Sequence, residues 1–178
     1  MQIAPLDSLV IPHDLDGHDG QYRIARKLLK IPAENDQEAV LLWLDKYRNS
    51  ESTFCRYQTV ANQLMNWTLV ELGKPLSSLD ESDFKKYYAF LLNPSPRERW
   101  IAPRVDRASE RWRPFSGPLS MASLTNTIAI LRSLIAFLNT VGYCRIWDFL
   151  IHFTKKRSGH AFAMSLRAPA TTEPFSEA

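Results

Sequence analysis

Apolar residues recur along this chain at the three- and four-residue spacing of helices, and strand-like alternation is absent. The longest such pattern is Leu124, Ile128, Leu131, Ile135 and Leu138, which share one helical face. Ser120 opens this stretch and Gly142 closes it, so the spacing predicts a helix over 120–140. An earlier helix begins at Asn35, where Glu38 three places on makes a capping-box-like start. Val40, Leu41, Trp43, Leu44 and Tyr47 form its apolar side, and Asn49-Ser50 break it. A second helix starts near Ser50 or Ser52 and runs to about Leu72, with Gly73 as the stop and Pro75 just beyond. Phe54, Tyr57, Ala61, Leu64 and Thr68 line one face of it, and Arg56, Thr59, Gln63 and Asn66 line the opposite, solvated one. No acidic residue falls between Thr53 and Val70, which is unusual for an exposed stripe. Asp80 predicts the cap of a third helix over about 81–92, with Glu81 and Asp83 complementing the dipole of its first turn.

The rest is less periodic. Residues 1–34 read as an extended N-terminal arm with a short helix around Tyr22 to Leu29. Residues 94–118 form a segment longer than ordinary connections. Cys144 to Phe153 reads as one more short apolar helix, and 144–178 as a degenerate or flexible C-terminal tail. The expected fold class is all-α, a bundle of four main helices with one long loop before the last.

Composition narrows this only a little. A chain of 178 residues with 45% apolar content supports one domain with a real core. A net charge of +3 permits a nucleic-acid partner without demanding one. No uninterrupted apolar run reaches the roughly 18 residues of a membrane span. The N-terminus lacks the layout of a signal peptide, so a cytoplasmic location is expected, with no membrane partner. Cys55 and Cys144 fall in apolar patterns and read as small buried hydrophobes of a reducing compartment. Charge placement says more than net charge. The 94–118 loop holds six arginines, Arg97, Arg99, Arg104, Arg107, Arg111 and Arg113, against Glu98, Asp106 and Glu110, and no lysine. Arginine suits planar, bidentate phosphate contacts, and Trp100, Trp112 and Phe115 can pin the loop to the helices below. The plainer reading is a loop tied down by its own arginine–carboxylate pairs.

No phosphate-binding Gly-rich loop, GxSxG, HExxH or CxxC occurs. His13 and His18 lie among Asp14, Asp16 and Asp19, but the spacing fits no known ligand set, so a solvated polar loop is expected and no metal or cofactor. From the residues alone, the chain is a helical bundle with one arginine-rich, aromatic-pinned edge.

The order Thr53-x-x-x-Tyr57, Leu64-x-x-Trp67, GKPLSSLDESDFKKYYAFL (Gly73 to Leu91), Trp100, RWRPFSGPLS (Arg111 to Ser120) and LRSLIAFLNTVGY (Leu131 to Tyr143) resembles a known arrangement. It is similar to the N-terminal core-binding domain of tyrosine recombinases, in particular phage- and plasmid-type site-specific integrases of bacteria, over about 35–143. The resemblance implies a SAM-like four-helix bundle, one half of a C-shaped clamp around duplex DNA. Position by position, it implies DNA contacts from Thr53, Arg56 and Gln63, from Arg111 and Arg113, and from Ser120, Ser123, Thr125 and Asn126. Arg56, Arg111, Arg113 and Ser123 are then expected on one concave face. The family's catalytic set includes a His-x-x-Arg pair and a nucleophilic tyrosine. No histidine here has an arginine three positions later, and no tyrosine follows Tyr143. Cys144-Arg145-Ile146-Trp147 also replaces the family's usual junction, in the manner of a frameshifted remnant. The expectation is a truncated integrase's DNA-binding module, not an enzyme, with no strand cleavage of its own. Its partners would be double-stranded DNA and full-length recombinase protomers, with no small-molecule substrate. The alternative is a helical protein-interaction module, for example one that binds a recombinase without touching DNA.

Overall fold

A computed structural model describes residues 1–145, and among them the chain is all helical, with five α-helices and no strand. These are α1 (Asp36–Asp45), α2 (Glu51–Trp67), α3 (Glu81–Leu92), the short α4 (Arg97–Trp100) and α5 (Met121–Thr140). Local chemistry explains where they start and stop. At α1 the Asn35 side chain accepts from the Glu38 N–H at 2.9 Å. The Glu38 carboxylate returns to the Asn35 amide at 3.1 Å and to the Glu34 N–H at 2.7 Å. Asp80 and Asp83 form a reciprocal capping box at α3. Ser120 caps α5 by accepting from the Ser123 N–H at 3.2 Å. After α2 the chain makes one wider helical turn, Thr68–Leu72, and leaves it at Gly73 with φ 60°, the left-handed conformation that favours glycine.

The core lies where α5 packs on α1, α2 and α3. Leu124, Leu131, Ile135 and Leu138 of α5 are buried against Trp43, Leu64, Phe84 and Tyr88 in one cluster. By length and mean hydropathy (1.5) α5 could cross a membrane, and 39% of that window is buried inside the protein.

One difference from the sequence pattern is large. Gln63 and Asn66, expected on a solvated face of α2, are both buried, and every residue from Val60 to Trp67 is covered. The cause is the N-terminal arm on one side and the arginine loop on another. Residues 1–34 are not an extended excursion. The Leu6 N–H donates to Asn62 at 2.6 Å, and Asn66 exchanges two hydrogen bonds with the backbone of Ala4 at 3.0 and 2.8 Å. Leu6 and Leu9 are buried, and Gln37 donates to both of their carbonyls. Each such bond contributes on the order of 1 kcal/mol, and an unmade one at a buried amide would cost more.

The arm also closes on Ser77 and on Tyr143, which follows α5. Asp36 is fully buried and accepts from the Ser77 N–H at 2.9 Å, the Ser77 hydroxyl at 3.1 Å and the Tyr143 hydroxyl at 2.9 Å. A Cβ on Gly17, which sits at φ 87°, would collide with the Asp36 carboxylate, so only glycine lets the arm approach this closely. The Arg23 guanidinium lies 3.6 Å above the Tyr143 ring and donates to the carbonyls of Ala33, Glu34 and Tyr143. A short 3-10 turn, Arg26–Leu28, falls inside the expected Tyr22–Leu29 helix. Cys144 is buried as expected and pairs in a bridge with Arg23, whereas Cys55 is exposed, contrary to its reading as a core residue. The helix expected over 144–153 falls, beyond Arg145, outside the described residues.

Candidate nucleic-acid interface

The arginine loop is held by backbone and aromatic contacts, not by internal ion pairs. Trp100 and Phe115 are buried and meet Phe90 edge-on, with ring centroids 5.0 and 5.7 Å away. The loop's two limbs are joined where the Ala102 N–H donates to the Phe115 carbonyl at 3.0 Å and the Phe115 N–H to that of Trp100 at 3.3 Å. Gln63 reaches out of α2 to donate to the Pro114 carbonyl at 3.1 Å. Among the described residues no loop arginine pairs with Glu98, Asp106 or Glu110. The plainer reading of a loop tied by its own salt bridges is therefore not what holds it.

Between α2, this loop and the start of α5 runs a cleft of about 710 Å³. Arg56, Arg104, Arg107 and Arg113 line it, and no aspartate or glutamate does. Thr59, Gln63, Trp112, Ser123 and Asn126 complete its polar and aromatic lining. The four cations differ in how far the protein itself satisfies them. Arg107 is bidentate, donating to Gln58 at 3.0 Å and pairing with Asp7 of the arm at 2.6 Å. Arg113 donates through Nη1 to the carbonyls of Glu110 and Trp112 at 3.1 and 2.7 Å, which orients its fork without cancelling its charge. Arg56 and Arg104 are exposed, and among the described residues neither makes a salt bridge. A concave surface lined by one sign of charge concentrates its field on whatever enters.

Five of the nine residues expected to meet DNA line this cleft: Arg56, Gln63, Arg113, Ser123 and Asn126. Gln63 is there as floor, with its amide spent on Pro114, so it positions the loop rather than reaching outward. Thr53 is half-buried near the start of α2 and accepts from the Ser50 hydroxyl at 2.9 Å. Arg111 is exposed but outside the cleft lining, so the expected quartet on one concave face is a trio. Ser120 is the α5 cap, and the exposed Thr125 folds its hydroxyl back onto the Met121 carbonyl at 3.0 Å. Sequence reasoning did not single out Arg104, Arg107, Trp112 or Thr59 as site residues, although all four line the cleft. For Arg104 and Arg107 the lysine-free arginine run was the available signal; for Thr59 it was the acid-free stretch of α2.

Compared with protein-family models, with curated proteins and with solved structures, the chain finds no match.

Proposed function

We propose that residues 35–143 form a core-binding module of the tyrosine-recombinase type, a SAM-like four-helix bundle that grips duplex DNA mainly through its phosphates. The observation that carries this reading is the cleft lined by four arginines and no carboxylate, with Ser123 and Asn126 from the start of α5 also in its lining. Guanidinium forks match phosphate oxygens, and the capped, acid-free first turn of α5 adds N–H donors and a positive dipole end. Contacts of this kind position a duplex and set affinity; few of the side chains need read base edges. Residues 35–143 contain no histidine and so no His-x-x-Arg pair, and the module by itself binds duplex without cleaving a strand. Full-length recombinase protomers on the same DNA are its natural protein partners.

Salt titration tests the reading. Duplex binding followed by fluorescence anisotropy is expected to weaken steeply between low and physiological salt. Arg56→Ala combined with Arg113→Ala should lower the slope of log K against log salt by about two, near 0.9 for each phosphate that is no longer neutralised. No binding of duplex at low ionic strength would overturn the proposal. Capture of a recombinase that is indifferent to salt and to these two arginines would replace it with the protein-interaction reading.

A further inference from the structure

The N-terminal arm gathers a second cluster of chemistry, unconnected with the arginine cleft. His13, Asp16 and His18, read from sequence as parts of a solvated loop, bring one ligand atom each to within 4.8 Å of one another. The two imidazoles stack with centroids 3.9 Å apart and planes 4° from parallel. His13 Nδ1 lies 2.9 Å from one oxygen of Asp16, and His18 Nδ1 lies 2.7 Å from the other. We infer that His13, Asp16 and His18 form a binding site for a divalent transition-metal ion of the zinc type, with Asp19 orienting His18.

Three features of the cluster support this beyond proximity. The donor set is two imidazole nitrogens and a carboxylate, which zinc and its neighbours accept and which the oxygen-seeking calcium and magnesium do not favour. The other nitrogen of His18, Nε2, lies 3.0 Å from Asp19, the carboxylate–imidazole pairing that fixes a metal-binding histidine's tautomer and raises its basicity. The scaffold is also rigid where it matters. Asp16 is held by its carbonyl, which accepts from the Asp36 N–H at 2.8 Å, and by its carboxylate, which accepts from the His18 N–H at 2.8 Å. Donors around a tetrahedral ion stand roughly 3.3 Å apart, for bonds of about 2.0 Å. Parallel stacked rings cannot aim both in-plane lone pairs at one ion, but His13 is 82% exposed, so its ring can swing out of the stack to meet the ion, which has open access. Because Asp16 also holds the first N–H of α1, a bound ion would fasten the arm's loop to the bundle.

The test is calorimetric titration of the full chain with zinc chloride. One ion per chain is expected, with affinity at least tenfold weaker in His13→Ala and in His18→Ala. Asp19→Asn should weaken it by roughly ten- to a hundredfold, as for other second carboxylates behind a metal-bound histidine. His152→Ala combined with His160→Ala should leave it unchanged, and calcium chloride should give no heat of binding. His13 is exposed, so His13→Ala keeps the fold and isolates the ligand effect. Zinc binding that survives His13→Ala at full strength would overturn the assignment. So would binding that disappears with His152 and His160, or the lack of any binding up to about 1 mM zinc.

Discussion

Asp36 and Arg56 are both charged residues near the start of a helix, and the molecule treats them in opposite ways. Asp36 is 1% exposed and receives three hydrogen bonds, from Ser77 twice and from Tyr143. Arg56 is exposed, lines a cleft free of carboxylates and makes no salt bridge among the described residues. The first region spends its polar groups internally: it closes the arm, the Ser77 turn and Tyr143, just after α5, onto one another. The second leaves positive charge unneutralised at the surface, where it can act on a ligand. A satisfied buried network reports on folding, and a cation without an internal partner reports on what the protein meets outside.

The largest effect expected from this contrast is on stability. Asp36→Ala removes the acceptor of three buried donors and should cost about 3 kcal/mol or more in urea denaturation, with faster hydrogen exchange in residues 4–36. Arg56→Ala should change stability by less than about 0.5 kcal/mol while weakening DNA binding. Equal destabilisation by both would break the comparison.

A pH profile sharpens it. Burial raises the Asp36 pKa to about 6 against the hydrogen bonds from Ser77 and Tyr143 that lower it. The folded state thus holds this proton more tightly than the unfolded chain, whose carboxyl titrates near 3.8. The group's contribution to stability is fully present below that value and is lost as pH rises through about 6, by up to about 3 kcal/mol in all. Asp16 and Asp83 are held below the ordinary range and act in the opposite direction: burial raises each, and hydrogen bonds outweigh it. The Asp36 share therefore appears as the difference between the wild-type profile and that of Asp36→Asn. Identical slopes for the two proteins between pH 4 and 6.5 would show that Asp36 does not titrate there.

Gln63 is the intermediate case, a buried amide that serves the surface. Gln63→Ala should cost about 1–2 kcal/mol and lower DNA affinity several-fold by releasing the Pro114 segment beside Arg113. Unchanged affinity with reduced stability would confine Gln63 to folding.

The smallest effect expected is from Asp7→Asn, which removes the one carboxylate paired with a cleft arginine among the described residues. Stability should move by less than about 1 kcal/mol, and the salt slope for duplex binding should rise by up to about one as Arg107 becomes available. A fall in the slope would mean that Arg107 faces the ligand only when the arm holds it.

The elements most legible in the sequence are those with local causes. Asn35, Asp80 and Ser120 cap helices through residues three places on, and Gly73 stops one through its own backbone angle. The arginine loop and the aromatics that pin it are legible for the same reason, since Trp100 and Phe115 stand beside the charges they support. Asn66 looks solvated in the sequence because its partner, Ala4, is 62 positions away; Arg107 does not stand out among the loop arginines because its partner, Asp7, is 100 away. Periodicity places Cys55 in the core, yet it lines the cleft. His13 and His18 match no ligand spacing because a turn at Gly17, packed on the distant Asp36, brings them together.

By itself, then, the sequence determined an all-helical fold over the described residues, the starts and stops of its main helices, and a lysine-free arginine loop on an acid-free helix. Capping and periodicity act over three or four residues, so the chain carries them in plain order. Only the tertiary structure decided which polar side chains are consumed and which are left to face a partner. Burial and pairing depend on segments that arrive from far along the chain: the arm covers Asn62 and Asn66, the loop covers Gln63, and neither covers Arg56.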